Sequence, residues 1–192
     1  MLKLKVITST TRPGRKGPVI ARWIAAVAEQ TGNFEVEVID LGAINLPMMD
    51  EAFHPRMKKY EHAHTKKWSA TIDEADAFIF VTAEYNYSMP APLKNALDYL
   101  YWEWNNKPAG IVSYGGASGG TRAAQMLKQV LTTLKVMPLP EGVILSFFDK
   151  HINEQEEFVA TESAEKSAQV MLHEVKQWSA ALQSLRHKEP QQ

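Results

Sequence analysis

Short apolar runs alternate with longer amphipathic stretches along the whole chain. The apolar runs predict five β-strands, at residues 2–9, 34–40, 76–82, 109–114 and 142–148. The third run, DAFIFVT, is apolar almost throughout, which is typical of a parallel strand that is covered on both faces of a sheet. The pattern therefore favours a sheet that is largely buried.

The stretches between these runs place apolar residues at the spacing of amphipathic helices. They predict helices from Pro18 onwards, within 56–74, over 92–104, across 123–134 and over 161–186. Gly17-Pro18 marks a helix start, because a proline in the first turn loses no hydrogen bond. Strands that alternate with helices predict right-handed βαβ units, and hence an α/β fold with a parallel sheet between two helical layers.

Composition excludes several classes of protein. The 192 residues have a formal net charge of -1, which argues against a nucleic-acid-binding surface. The absence of cysteine excludes disulfides, thiolate metal sites, iron–sulfur clusters and cysteine nucleophiles. No apolar stretch reaches the roughly 20 residues of a membrane span. We expect a cytoplasmic protein with no nucleic-acid or membrane partner, folded as a single domain over residues 1–186 with a disordered tail over 187–192.

Hydroxyl and cationic side chains crowd the loop after the first strand, TSTTRPGRKGPV (8–19). The N-terminus of a helix attracts phosphate through unpaired N–H groups, and Ser, Thr and Arg side chains add further donors. The loop lacks the GK[ST] of a Walker A motif, does not match GxGxxG, and has no cysteine for a phosphotyrosine-phosphatase loop. We interpret it as a site for a phosphate monoester, with a solvated basic turn as the alternative.

Two more unusual loops follow the third and fourth strands. AEYNYSMPAPLKNALDYL (83–100) has tyrosines and an asparagine that would form one wall of a flat, polar-edged pocket. Its Glu84 has no carboxylate partner at a fixed spacing, so a hydrogen-bonding role is as consistent as acid catalysis. SYGGASGGTRAA (113–124) has four glycines, which let a backbone approach a ligand closely. Because ligands of open α/β sheets bind at the carboxyl ends of strands, the three loops are predicted to share one crevice.

Two other clusters carry less specific signals. Histidines and carboxylates lie together in the segment 50–64, but His62 and His64 on a helix would point about 200° apart. We therefore predict no metal site and place these histidines, with His54, at the surface or an interface. Aromatic residues crowd the end of the fourth predicted helix, more than one monomer core usually needs, and predict a subunit interface. They are Tyr99, Tyr101, Trp102 and Trp104.

The three loops together resemble those of the NADPH-dependent FMN reductase family, which has a flavodoxin-like fold. That family has a Ser/Thr- and Arg-rich loop after the first strand, a PEYNxSxPxxLKNA[IL]D segment and an SxGGxxGGxRA segment. The corresponding segments here are TSTTRPGR, AEYNYSMPAPLKNALDYL and SYGGASGGTRAA. One departure is Ala83, where the family usually has proline, which loosens the turn but removes no donor. The resemblance implies a three-layer sandwich with a five-stranded parallel sheet in the order 2-1-3-4-5.

The resemblance also implies roles for particular residues. The FMN phosphate would be held by Ser9, Thr11, Arg12 and Arg15, with Pro18 and Val19 beginning the helix beneath it. One edge of the isoalloxazine would be lined by Glu84, Tyr85, Asn86 and Tyr87. The other edge would be lined by Ser113, Tyr114, Gly115 and Gly116. No side chain is expected to be catalytic, because flavin N5 carries the chemistry.

The function implied by the resemblance is an FMN-dependent oxidoreductase. It would pass hydride from NADPH (or NADH) through bound FMN to a small acceptor by a ping-pong mechanism. The acceptor would be a flavin, a quinone, an azo dye or a metal oxyanion, and the assembly a homodimer or a dimer of dimers. A flavodoxin-like electron carrier and a non-catalytic FMN-binding module are the alternatives.

Overall fold

A five-stranded parallel sheet in the order β2-β1-β3-β4-β5 forms the centre of the molecule. The structure is a computed structural model that describes residues 1–186, so the predicted tail over 187–192 lies outside the described residues. The strand order confirms the flavodoxin-like arrangement. The strands are β1 (Leu2–Thr8), β2 (Phe34–Asp40), β3 (Ala77–Ala83), β4 (Pro108–Gly115) and β5 (Met137–Ser146).

Helices cover both faces of the sheet. Helices α1 and α6 pack on one face through residues such as Ile24 and Met171, and α3, α4 and α5 pack on the other through Trp68, Leu97 and Leu127. None of the helices within residues 1–186 combines the length and the apolarity that a membrane span requires. The helices are α1 (Gly17–Gln30), α2 (Leu41–Ile44), α3 (Ala63–Asp73), α4 (Ala91–Asp98), α5 (Thr121–Thr133) and α6 (Glu162–Arg186).

The fifth strand begins earlier than the sequence pattern predicts. It starts at Met137 rather than at residue 142, and it includes Pro138 and Pro140. Proline cannot donate to a neighbouring strand, so it argues against a strand in the middle of a sheet. β5 is an edge strand, where prolines are tolerated, and its pairing with β4 shifts register between Ala109 and Ile111.

The aromatic cluster at 99–104 belongs to the core of the chain. The predicted interface rests on the premise that one chain cannot bury so many aromatic rings, and this premise is wrong. Tyr99 and Trp104 are fully buried and Tyr101 is nearly so. Trp102 is half-buried, and its Nε1 donates to the carbonyl oxygen of Arg56 at 2.7 Å. The predicted helix over 92–104 ends at Asp98, and the chain then turns so that these rings reach the core from several directions.

Helix α4 holds the long connection between α2 and α3 in place. The Oδ1 of Asn95 accepts from the backbone N–H of Met49 at 2.9 Å, and its Nδ2 donates to the carbonyl oxygen of Pro47 at 2.7 Å. The hydroxyl of Tyr99 donates to the Oδ1 of Asp50 at 2.9 Å. The LKNALD segment therefore positions a loop, and no cofactor contact is needed to explain its asparagine.

Lys107 is a buried cation whose protonation should be visible in the stability of the protein. Its Nζ donates to the carbonyl oxygens of Ile72 and Asp73, each at 2.9 Å, at the end of α3. Burial lowers the pKa of Lys107 to about 8, from 10.5. Between these two pH values the unfolded chain binds more protons than the folded one, so the free energy of unfolding rises with pH.

We predict that the contribution of Lys107 to stability increases from pH 8 to pH 10, by at most about 1.4 kcal/mol per pH unit. The measurement is urea unfolding of the wild type and of Lys107→Met at several pH values. The difference between the two proteins isolates Lys107, because the other titrating groups are shared. A difference that stays constant or falls as the pH rises would contradict the prediction.

Candidate active site

The carboxyl ends of β1, β3 and β4 lie side by side, and the loops that follow them enclose a cavity of about 290 Å³. The strand order reverses direction between β1 and β3, which is where ligands of open α/β sheets bind. A larger groove of about 460 Å³ lies between β2 and α3, along the side of the edge strand and away from these loops. The smaller cavity is therefore the candidate site.

The first loop presents unpaired backbone donors to this cavity. Helix α1 begins at Gly17, and Lys16 at its N-cap provides no side-chain hydrogen bond. Within residues 1–186, no acceptor bonds the backbone N–H groups of residues 10–12 and 16–17. A run of free N–H groups at the start of a helix binds anions.

Three hydroxyl groups surround the first residue of α1. A Cβ placed on Gly17 would lie 2.5 Å from the Oγ1 of Thr8, 2.6 Å from the Oγ1 of Thr10 and 2.9 Å from the hydroxyl of Tyr114. Glycine is therefore required here for the helix to approach these side chains. The Oγ1 of Thr8 is buried and has no hydrogen-bond partner among the described residues, as expected of a group that awaits a ligand or water.

Tyr114 connects the third loop to the first. It lies at the end of β4, yet its hydroxyl is 3.3 Å from the Oγ1 of Thr10, which follows β1. Its ring packs edge-on against Phe148, with the ring centroids 4.8 Å apart. Burial raises the pKa of Tyr114 to about 12, so the phenol keeps its proton and can act as a donor at neutral pH.

Arg12 differs from the other two cations of the first loop. Arg15 forms an ion pair with Asp40 at 2.6 Å, and Lys16 forms one with Glu156 at 2.7 Å. Arg12 is exposed and has no carboxylate partner in the described part of the chain; its guanidinium carbon lies 5.9 Å from the ring centre of Tyr85. Arg12 is thus wholly available to an anionic ligand, whereas Arg15 is held by Asp40 through its Nη2, and only its Nε is left buried without a partner among the described residues.

The second loop folds back in a tight hairpin. Tyr85 and Ser88 exchange two backbone hydrogen bonds, of 2.9 and 3.0 Å, with Asn86 and Tyr87 at the tip. Both tip residues have positive φ, 49° and 72°, which is the conformation of a type I′ turn. Tyr85 lines the cavity, whereas Asn86 and Tyr87 are not part of its lining.

Glu84 links the second loop to the third. Its carboxylate accepts from the guanidinium of Arg122 at 2.5 Å, from the backbone N–H of Arg122 at 3.2 Å and from the hydroxyl of Ser118 at 3.2 Å. Burial by itself would raise the pKa of Glu84, but the bonds from Arg122 and Ser118 prevail and lower it. A carboxylate held in this way stays ionised and does not serve as a proton donor at neutral pH.

The structure brings half of the sequence-predicted site residues to the cavity wall. Those that line it are Arg12, Arg15, Glu84, Tyr85, Tyr114, Gly115 and Gly116. The others lie outside the lining, and their contact with a cofactor stays a prediction: Ser9, Thr11, Pro18, Val19, Asn86, Tyr87 and Ser113. Ser9, Val19 and Ser113 are buried, and the hydroxyl of Ser9 donates to the Oγ1 of Thr82.

Five residues of the lining are absent from the site residues that the family resemblance implies. The sequence places Thr10 among the hydroxyl donors of the first loop, but the resemblance gives roles only to Ser9 and Thr11, and only the direction of its side chain separates Thr10 from them. Phe148 follows β5, whose loop carries no distinctive sequence pattern. No sequence signal short of the fold would have found Phe148. The five are Thr10, Gly14, Lys16, Ala83 and Phe148.

The histidines of the segment 50–64 hydrogen-bond within the chain. The rings of His62 and His64 stack with their centroids 5.2 Å apart. The Nε2 of His64 lies 3.0 Å from the Oδ1 of Asp50, and that of His62 lies 3.2 Å from the carbonyl oxygen of Asp50. Over residues 1–186, no group of three or more His, Asp or Glu side chains is arranged to hold a metal ion.

Comparison with known proteins identifies the family. A model of the NADPH-dependent FMN reductase family matches residues 2–150. The chain is 46% identical, over 140 residues, to an NAD(P)H-dependent FMN reductase of Schizosaccharomyces pombe, covering 72% of this chain and 70% of that protein. It is 30% identical, over 146 residues, to an NADPH azoreductase of Bacillus, covering 75% of this chain and 76% of that protein.

A solved structure with the same fold is the flavoenzyme NAD(P)H:(acceptor) oxidoreductase FerB of Paracoccus denitrificans. It superposes with a TM-score of 0.71 over 96% of this chain and 98% of FerB, at 20% identity. The cavity at the ends of β1, β3 and β4, with its unpaired N–H donors and the unpaired Arg12, fits a phosphate-bearing cofactor within the described residues. The chain therefore belongs to the NADPH-dependent FMN reductase family and is an NAD(P)H-dependent oxidoreductase that uses FMN.

Proposed function

We propose that one FMN binds in the cavity of each chain, with its phosphate in the first loop, as part of a single flavin-binding domain over residues 1–186. The observation that supports this most directly is the contrast among the three cations of that loop. Arg15 and Lys16 are paired with carboxylates, and Arg12 is the cation left for the phosphate within the described residues. Thr8, Thr10 and Tyr114 supply hydroxyls beside the free N–H groups at the start of α1.

The other end of the cavity suits the flat ring system of the flavin. Tyr85 lines it on the side of the second loop, and Gly115 and Gly116 line it on the side of the third. Within residues 1–186, no acceptor bonds the backbone N–H groups of Gly116 and Ala117. We propose that these two N–H groups stabilise negative charge at the pyrimidine edge of the flavin.

We propose a ping-pong reaction in which NADPH and the electron acceptor use the same open side of the cavity in turn. FMN supplies the redox chemistry when bound, and the protein supplies binding, orientation and electrostatics. For a quinone, the balance is NADPH, one proton and the quinone giving NADP⁺ and the hydroquinone. Glu84 is ionised and bonded to Arg122, so solvent provides the proton in this scheme. We place the reaction in the cytoplasm, where NADPH is available.

We also propose that the chain forms a homodimer, on a different basis from the buried aromatic cluster. The segment that follows β2 exposes four large apolar side chains: Ile44, Met48, Phe53 and Met57. Exposed apolar residues concentrated in one segment are typical of an interaction surface. Hydrogen bonds from Asn95 of α4 and from Tyr99, which follows that helix, hold this segment against the rest of the chain, which gives a partner chain a defined surface to meet.

The first prediction of this proposal concerns the cofactor and the activity. Purified protein should bind about one FMN per chain and should bind FAD much more weakly, because a phosphate site enclosed by Arg12, Arg15 and the start of α1 leaves little room for an adenylate extension. The FMN-loaded protein should oxidise NADPH and reduce a quinone with parallel lines in double-reciprocal plots. Bound FMN without NADPH oxidation would favour an electron carrier or a binding module instead.

The second prediction separates Arg12 from Arg15. Arg12→Ala should weaken FMN binding by about ten- to a hundredfold, since it removes a charge-assisted hydrogen bond worth about 1.5–3 kcal/mol. It should leave the affinity for riboflavin, which lacks the phosphate, within about twofold. Arg12→Lys should recover only part of the loss, because lysine keeps the charge but not the planar donor group.

The matched control is the double variant Arg15→Ala/Asp40→Asn, which removes the ion pair without leaving an unpaired carboxylate and should weaken FMN binding less than Arg12→Ala does. Fluorescence titration of apo-protein with FMN and with riboflavin measures all of these affinities. Arg12 would be excluded from the phosphate site if Arg12→Ala bound FMN as the wild type does. An equal loss for riboflavin would place Arg12 at the ring system.

The third prediction concerns assembly. Sedimentation equilibrium should give about twice the 21.6 kDa mass of one chain, or four times for a dimer of dimers. Met48→Glu should shift the protein toward monomer, because it places a charge in an apolar contact. Met126→Glu is the matched control, since Met126 is also exposed but lies on α5, and it should leave the mass unchanged. A wild-type monomer at micromolar concentration would refute the homodimer.

A further inference from the structure

Tyr87 occupies a backbone position that does not favour tyrosine. It is the second tip residue of the hairpin between Tyr85 and Ser88, and its φ is 72°. Type I′ turns strongly prefer Asn-Gly, because both tip residues need positive φ and glycine adopts it without steric cost. Asn86 matches the first preference, whereas the bulky Tyr87 replaces the glycine and incurs conformational strain.

The ring of Tyr87 contacts a cation on one face despite its exposure. The guanidinium carbon of Arg122 lies 4.0 Å from the ring centre, so a cation covers one face of the ring. Arg122 also forms an ion pair with Glu84, which belongs to the same loop as Tyr87. Tyr87 nevertheless remains 66% exposed. The structure thus supports an aromatic ring on one face while leaving most of it in contact with solvent.

Burial does not offset the strain at this residue. Tyr87 is outside both core clusters and outside the cavity lining. Glu84 and Tyr85 of the same loop do line the cavity, and Arg122, which lies over the ring of Tyr87, forms an ion pair with Glu84. The ring therefore belongs to the loop that forms one wall of the cavity, and Tyr87 comes two residues after Tyr85, which is part of that wall.

We infer that Tyr87 selects the electron acceptor by stacking its ring against a planar, electron-poor acceptor of the quinone class at the cavity mouth. Aromatic rings attract each other in offset-stacked geometry, and a ring that already packs against Arg122 on one face has less conformational freedom to lose when it stacks on the other. The inference rests on the proposed function, because it requires a flavin in the cavity to reduce the acceptor.

The experiment compares two acceptors with three proteins. A naphthoquinone takes two electrons and two protons and is planar, whereas two ferricyanide ions take one electron each and have no ring to stack. The proteins are the wild type, Tyr87→Gly, which removes the ring and relieves the turn, and Tyr87→Phe, which keeps the ring. For Tyr87→Gly, the ratio of kcat/KM for the quinone to that for ferricyanide should fall at least fivefold. For Tyr87→Phe, the ratio should stay within twofold of the wild type.

Two measurements without turnover accompany the kinetics. The thermal midpoint of apo Tyr87→Gly should equal or exceed that of the wild type, because glycine suits the turn. FMN binding, measured by fluorescence titration, sets the FMN concentration that saturates each protein, so that the acceptor ratios are compared at equal flavin content. An unchanged acceptor ratio in Tyr87→Gly, or an equal loss in Tyr87→Phe, would overturn the inference. Failure of the wild type to bind FMN would instead refute the proposed function.

Discussion

Parallel pairing of β3 with β1 on one side and β4 on the other is the constraint on which the site depends. The register aligns Thr8 with Val81, and Ala83 with Tyr114, so the three strands end at nearly the same level of the sheet. Each loop then begins beside the next, although residues 8 and 114 are far apart in sequence. Helices cannot fill the space above these strand ends, because they cover the two faces of the sheet.

Side-chain hydrogen bonds and an ion pair between the adjacent loops give the cavity defined walls. Tyr114, at the end of β4, contacts Thr10 in the loop that follows β1. Glu84, which follows β3, bonds Ser118 and Arg122, which follow β4 in sequence. Neither link joins residues that are close in sequence. Both use partly or fully buried polar groups, where a hydrogen bond is costly to leave unmade. The walls of the site are therefore set before any cofactor binds.

The distribution of ion pairs separates binding residues from supporting ones. Arg15, Lys16 and Arg122 each have a carboxylate partner, and Arg12 has none within residues 1–186. A cation that is already paired gains less from a phosphate than one that is only hydrated, because a new anion must compete with the existing carboxylate. The same reasoning makes Glu84 a supporting residue, even though the sequence alone left open an acidic role for it.

The fold and the location of the site were determined by the sequence itself. The alternation of apolar runs with amphipathic stretches predicts the parallel sheet, since a strand covered on both faces is apolar almost throughout, as β3 is. The tertiary structure alone decided the partners of individual side chains. Trp104 reaches the core because the chain turns after Asp98, and Phe148 reaches the cavity because β5 pairs with β4. These contacts depend on directions in space, which a one-dimensional pattern of hydrophobic and polar residues does not specify.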